Sequence, residues 1–483
     1  MTMTDRNRWL ALYVLCLATL MIVLDVTIVN VALPSIRTSL HFSETSLAWV
    51  VNAYVLTYAG CLLLGGRLGD LYGPRRLFLI GIGLFTVCSL VCGLSTTQGM
   101  LIAARAAQGI GGAVASSVSL SLTMTLFTDH GERAKAMGIF GFVAAGGGSV
   151  GVVLGGILTD AINWHWIFLV NVPIGALVVA LALRLLPGAK LPGAPQRLDF
   201  AGAVAVTGAL MLAVYAIVNG NQRGWASTQT LGLLGASIAL LTGFLVLESR
   251  IAQPLVPLGI FRLRNVAVAN VVGILWSAAM FAWFFMSALY LQLVLGYSPL
   301  QVGLAFLPAN LIMMVFSISL SAKLVMRFGF RLPLATGLLV AGLGLALFLR
   351  APVHGSFLAD VLPSMILLGV GGGMAFNPML LAAMSDVAPQ EAGLASGVAN
   401  TAFMMGGALG LAVLASVAAS RTSSLAASGH SKLDALLGGY HAAFLVGAIC
   451  AIAAASLAAV LLRTRAQVIP AHFEEESTAA AAA

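Results

Sequence analysis

The chain has 483 residues, of which 60% are hydrophobic and 8% charged, with a formal net charge of +8 and a mean hydropathy of +1.02. A soluble globular chain carries about 25% charged residues, so no water-facing fold could hide this much apolar surface, and lipid must be the solvent. The basic balance is therefore no nucleic-acid footprint, and the absence of any G-x-x-x-x-G-K-[ST] loop argues against an ATPase or other enzyme. Cys16, Cys61, Cys88, Cys92 and Cys450 all fall inside apolar runs, where small buried residues are expected rather than disulfides or metal ligands. No cofactor or metal site is expected.

Apolar runs follow one another at 9–32, 47–66, 77–95, 99–126, 136–158, 165–186, 200–219, 230–248, 265–290, 300–322, 332–350, 358–382, 395–418 and 439–462. At about 20 residues per crossing, the pattern predicts fourteen transmembrane helices with both termini on one side. The first run is too long for a cleavable signal and no small-residue cleavage site follows it. If the termini are cytoplasmic, 18 Lys and Arg lie on the inner side and 5 on the outer, which is the positive-inside bias. The residues after 462, ending in acids, serine, threonine and alanine, read as a solvated cytoplasmic tail.

The first run closes on Leu24-Asp25-Val26-Thr27-Ile28-Val29-Asn30-Val31-Ala32-Leu33-Pro34. Asp25 is read as the one acid deep within an apolar stretch. A charge there costs about 2.5–3.5 kcal/mol on insertion scales, and an intramembrane acid is by default an ion or proton site. Arg105 lies in the fourth run, about six residues from its outer start. The first helix runs outward and the fourth inward, so Asp25 and Arg105 fall at similar depth. The alternative for Arg105 is to snorkel to the outer interface.

The chain also repeats itself. Arg67–Arg75 after the second run resembles Lys323–Arg331 after the tenth, at an offset of 256. Gln108-Gly109-Ile110-Gly111-Gly112 matches Leu368-Gly369-Val370-Gly371-Gly372, and Glu132 with Gly138, Gly147 and Gly151 matches Glu391 with Gly397, Gly406 and Gly410, at offsets of 260 and 259. The duplication predicts six-helix bundles at 1–198 and 251–462, a two-helix insertion at 199–250, and a tail at 463–483. Two parallel six-helix repeats are the plan of the major facilitator superfamily.

Three motifs make the resemblance specific. Gly66-Arg67-Leu68-Gly69-Asp70-Leu71-Tyr72-Gly73-Pro74-Arg75-Arg76 resembles that superfamily's signature loop between helices 2 and 3, which implies a gating latch. Arg105-Ala106-Ala107-Gln108-Gly109 resembles its helix 4 motif, in which the arginine serves proton coupling. Gly147, Gly151 and Gly155, followed by Gly156, make one bare helical face and resemble the glycine motif of antiporters, although Val152 stands where that motif usually has proline. The Leu24–Pro34 stretch and Trp164-His165-Trp166-Ile167-Phe168-Leu169-Val170-Asn171-Val172-Pro173-Ile174-Gly175 resemble the fourteen-span drug:proton antiporters of the EmrB/QacA-like family. Here His165 stands where arginine is usual, and Phe403 and Met404 stand where many relatives carry arginine and glutamine. The departures bear on the substrate rather than the fold.

The resemblance implies an all-α integral membrane protein of the major facilitator fold in the bacterial inner membrane. It would exchange protons for a small lipophilic or monocationic substrate, with a periplasmic adaptor protein as an optional partner and no nucleic acid. The second half has Met365 and Met326 in place of Arg105 and Asp70. Trp276, Phe284, Tyr290, Asn310, Asn377 and Asn400 are its candidate substrate contacts, because aromatic surfaces suit apolar or weakly cationic ligands. The competing readings are a transporter dedicated to one metabolite and a non-transporting membrane sensor.

Overall fold

A computed structural model describes residues 5–127, 129–186, 199–251, 254–387 and 392–463, and among them every regular element is helical. The major helices are α1 (Asp5–Leu40), α2 (Trp49–Tyr72), α3 (Pro74–Gly93), α4 (Gln98–Leu126), α5 (His130–Ala161), α6 (Asn171–Leu185), α7 (Phe200–Arg223), α8 (Thr228–Arg250), α9 (Arg264–Leu289), α10 (Pro299–Val315), α11 (Arg331–Leu347), α12 (Leu362–Met384), α13 (Ala392–Ala427) and α14 (Lys432–Leu461). Twelve helices among the described residues are long and apolar enough to cross a membrane; α5 and α10 are not among them. α10 has only 17 residues, but π-helical Phe316–Leu320 carries it into the helix Ser321–Phe328. The predicted tail beyond 463 and the stretch 187–198 lie outside the described residues.

Local chemistry sets the helix ends. Thr97, Asp199, Ser227, Ser298 and Ser431 cap α4, α7, α8, α10 and α14 by accepting a backbone N–H of the first turn. α2 ends at Gly73, whose φ of 90° suits only glycine, and Pro74 then opens α3 at its first position.

The packing follows the internal repeat. α1 packs on α5 and α6, α2 on α4, and α3 on α4 and α6; in the second half α9 packs on α13, α14 and α12, and α11 on α12 and α14. A side chain at Gly147 would meet Leu20 and Val23 of α1, and one at Gly151 would meet Leu24 and Thr27; in the repeat, Gly406 and Gly410 lie against Ile274 and Ala278 of α9. Leu20 and Ile274 thus occupy equivalent places, which puts Ala279 in the register of Asp25. The signature loop and its copy also do the same work. Arg75 donates to the carbonyl of Leu183 at the end of α6, and Arg331 donates to that of Ala459 at the end of α14.

The halves meet along two seams, α5 with α10 and α2 with α13, and α7 of the α7–α8 hairpin lies against α2 and α13. The α5–α10 seam is tight at the side away from the termini. A side chain on Gly156 would strike the backbone of Pro299 and Leu300, and one on Gly303 would strike Val152. Nearby, Gln292 Nε2 donates to the carbonyl of Val31 at 2.8 Å, joining the far ends of α9 and α1. Gly156→Leu should therefore cost the far-side-closed arrangement about 1–3 kcal/mol by overpacking. Spin-label distances between the far ends of α5 and α10 should lengthen; an unchanged distribution would refute this.

Candidate functional site

α1, α2, α3, α4 and α6 bring polar side chains or a backbone carbonyl to a common point in the far half of the first bundle. Asp25 on α1 and Arg105 on α4 form a salt bridge, with their side chains 0% and 1% exposed. Arg105 has not snorkelled. Its Nε donates to the carbonyl of Val50 at 3.0 Å and its Nη1 to Gln108 Oε1 at 2.7 Å. Its guanidinium lies over the Tyr54 ring, 4.3 Å from the centroid, with Phe168 on a second side at 5.6 Å.

The carboxylate is equally well held. Besides Arg105, it accepts from Gln108 Nε2 at 2.7 Å and Asn171 Nδ2 at 2.9 Å, both on Oδ1. The same two amides donate to Ser89 Oγ at 2.6 and 3.1 Å, so Ser89 on α3 ties them together. Gln108, Asn171 and Ser89 are all buried. Sequence reading treats Asp25 as isolated among apolar residues; instead Arg105 and Gln108 of α4 and Asn171 of α6 donate to it, with Ser89 of α3 behind the two amides. Ser89 and Asn171 were missed. Asn171 had a signal, because it lies within the Trp164–Gly175 motif, where it is the first residue of α6.

This arrangement sets the chemistry. Removing either charge from a buried pair strands the other without compensation. Three donors, Arg105, Gln108 and Asn171, complete the shell of an ionised Asp25. α1 and α4 each contribute one member of the pair, so a shift of one helix past the other would separate them. Gly109 keeps this region compact, since a side chain there would strike the Tyr54 backbone of α2, while Thr57 donates to the carbonyl of Ala106 at 2.7 Å.

The remaining candidates are distributed as follows. In the signature loop, Gly66 and Gly69 lie on the last turns of α2, Arg67 donates to the carbonyl of Pro254 at 3.2 Å, and Arg76 is exposed. The Asp70 side chain lies outside the described set. His165 precedes α6 and stacks on Trp164 with centroids 3.8 Å apart; burial holds its pKa below the usual histidine value.

In the second half, Trp276 is buried near Met313 of α10 and Gly372 of α12, and Phe284 stacks on Phe306 at 5.4 Å. The indole N–H of Trp276 and Nδ2 of Asn310 have no hydrogen-bond partner among the described residues. Asn377 donates to Ser317, Asn400 is half-buried, and Tyr290 gives its hydroxyl to the carbonyl of Pro352. Tyr290 is thereby committed to the core, whereas Trp276 and Asn310 keep free donors. Phe403 packs between Phe281 and Phe376, which explains an apolar residue at that position.

The family profile described as Major Facilitator Superfamily matches residues 15–411. Puromycin resistance protein pur8 of Streptomyces alboniger is 39% identical over 469 residues, spanning 95% of this chain and 92% of that protein. Cephamycin export protein CmcT of Amycolatopsis lactamdurans is 40% identical over 416 residues, spanning 86% and 85%. Among solved structures, the POT family transporter PepTSo aligns with a TM-score of 0.69 at 16% identity, covering 95% of this chain and 98% of its own, a likeness in fold.

Proposed function

The chain belongs to the Major Facilitator Superfamily, as a multi-pass membrane transporter and not an enzyme, and we propose that it is a proton-coupled exporter of lipophilic toxic compounds. The observation that carries this reading is the Asp25–Arg105 centre. A sealed carboxylate with three donors, shared between helices that can shift, is a means of taking up and releasing one proton per conformational cycle. A proton entering from outside would displace Arg105 from Asp25, and return of Arg105 would expel it inside as the substrate leaves. Inward movement of one charge contributes about 2.3 kcal/mol per 100 mV.

Relatives named for puromycin resistance and cephamycin export support export as the direction. In this reading the protein is a fourteen-span member of the EmrB/QacA-like group, with α5 and α10 completing the count. It lies in the bacterial inner membrane with both termini cytoplasmic. Residues 1–198 and 251–462 are the two bundles, and 199–250 is the insertion. Trp276, Phe284, Asn310, Asn377 and Asn400 are the substrate-facing candidates, for a neutral or singly charged compound, because Asp25 is committed to Arg105. An adaptor protein is not required by this reading.

A second reading, export of one dedicated compound, is favoured by relatives that carry the name of a single antibiotic. Everted vesicles from a host expressing the chain distinguish the two, with puromycin, a cephamycin and unrelated lipophiles tested with and without a proton gradient. Gradient-dependent uptake of many compounds supports the broad reading, and of one compound the narrow reading. Uptake that ignores the proton gradient would refute both.

A further inference from the structure

A second buried acid cluster lies away from the Asp25 centre, where the α7–α8 hairpin joins the rest of the chain. Asp199 caps α7 and Glu248 lies in the last turn of α8, and they are 8% and 3% exposed. Each carboxyl has one satisfied oxygen. Asp199 Oδ1 accepts from the backbone of Gly202 at 2.7 Å, and Glu248 Oε2 from that of Val256 at 3.1 Å. The other two oxygens, Asp199 Oδ2 and Glu248 Oε1, are buried with no donor among the described residues. They converge, since a single side-chain carbon built on Gly202 would overlap Asp199 Oδ2 and lie 3.0 Å from Glu248 Oε1.

Among the described residues no cation is paired with them; Arg197, two residues before Asp199, lies outside the described residues. On α2, which packs against α7, Arg67 gives its hydrogen bond to the carbonyl of Pro254, and the Asp70 side chain is not described. On α8, Arg250 is exposed. α13, the third element against α7, carries no charged residue between 394 and 420. Leu64, Ala203 and Leu255, with Leu63, Leu68 and Val256 around them, form a small apolar cluster beside the pair. Two ionised carboxylates facing each other in such surroundings repel strongly, and one proton between them removes the repulsion and satisfies both bare oxygens.

We propose that Asp199 and Glu248 form a second protonation site, sharing one proton drawn from the water on the side of the termini. The proton has a mechanical consequence. Glu248 holds Val256, and two residues earlier Pro254 holds Arg67 of the signature loop. With the proton bound, Pro254 and Val256 are pinned between the acid pair and the loop. When the proton returns to water, the two carboxylates separate, the Val256 contact loosens, and Arg67 loses its anchor. The insertion thereby links pH at that face to the loop between α2 and α3.

Infrared spectroscopy of the full chain in nanodiscs at neutral pH tests the shared proton. The wild type should show a protonated-carboxyl band that survives in Asp25→Asn and disappears in both Glu248→Gln and Asp199→Asn, which keep the backbone hydrogen bonds. A band missing from the wild type, kept in both variants, or lost in Asp25→Asn overturns the proposal. So does thermal stabilisation by calcium or sodium that vanishes in Glu248→Gln, which would make the pair a cation site. The mechanical link is read by a nitroxide on Val256→Cys in a cysteine-free background. Its mobility should rise several-fold as pH increases from about 5 to about 8 and stay low throughout in Glu248→Gln. Mobility that is flat in the otherwise native chain overturns the link.

Discussion

Asp25→Asn is expected to abolish substrate-driven proton flux in proteoliposomes while leaving passive substrate exchange measurable. The side chain keeps its size, and Asn can still accept from Gln108 and Asn171, which donate to Oδ1 of the native carboxylate. It has no titratable proton to pass on, and its amide would face Arg105, a donor opposed to a donor. Transport that remains coupled in this variant would remove Asp25 from the coupling role. Exchange should survive because the site is sealed within the first bundle, away from the Trp276 and Asn310 donors of the second. A large loss of equilibrium substrate binding would instead place the substrate at Asp25.

How much of this was legible in the sequence depends on what each residue had to reveal. Asp25 and Arg105 stood out because a charge inside an apolar run needs a partner, and matched depth identified one. Ser89 and Asn171 did not, because a lone small polar residue on an apolar helix is commonplace and only packing shows which way it faces. The repeat was visible as an offset. That Arg75 and Arg331 each tie down the end of a neighbouring helix required the backbone of α6 and α14. The glycine face on α5 was legible as a close approach, but not its division of labour. Gly147, Gly151 and Gly155 receive α1, whereas Gly156 turns to the other half of the molecule.

Asp25 is the one acid deep within an apolar run, but it is not the one buried acid. Asp199 and Glu248 lie at the ends of their helices, where sequence reasoning assigns acids to water. The hairpin folds those ends together and buries both. Hydropathy windows register distance from the end of a run, not the presence of a neighbouring helix.

Arg105→Ala should destabilise the protein by about 3–5 kcal/mol, the usual cost of stranding one member of a buried ion pair. Gln108 and Asn171 would still donate to the carboxylate, but neither neutral amide replaces a positive charge. The neutral double variant Asp25→Asn, Arg105→Ala should recover much of that stability, because no buried charge is left alone. Proton flux should behave differently: each single variant and the double should be equally inactive, since the two residues form one unit and further removal takes nothing more away. Thermal melting in detergent and flux in proteoliposomes, measured on the same four proteins, separate the two effects. Additive stability losses would mean that the pair is not energetically coupled, and flux restored in the double variant would mean that the charges serve only to hold the bundle together.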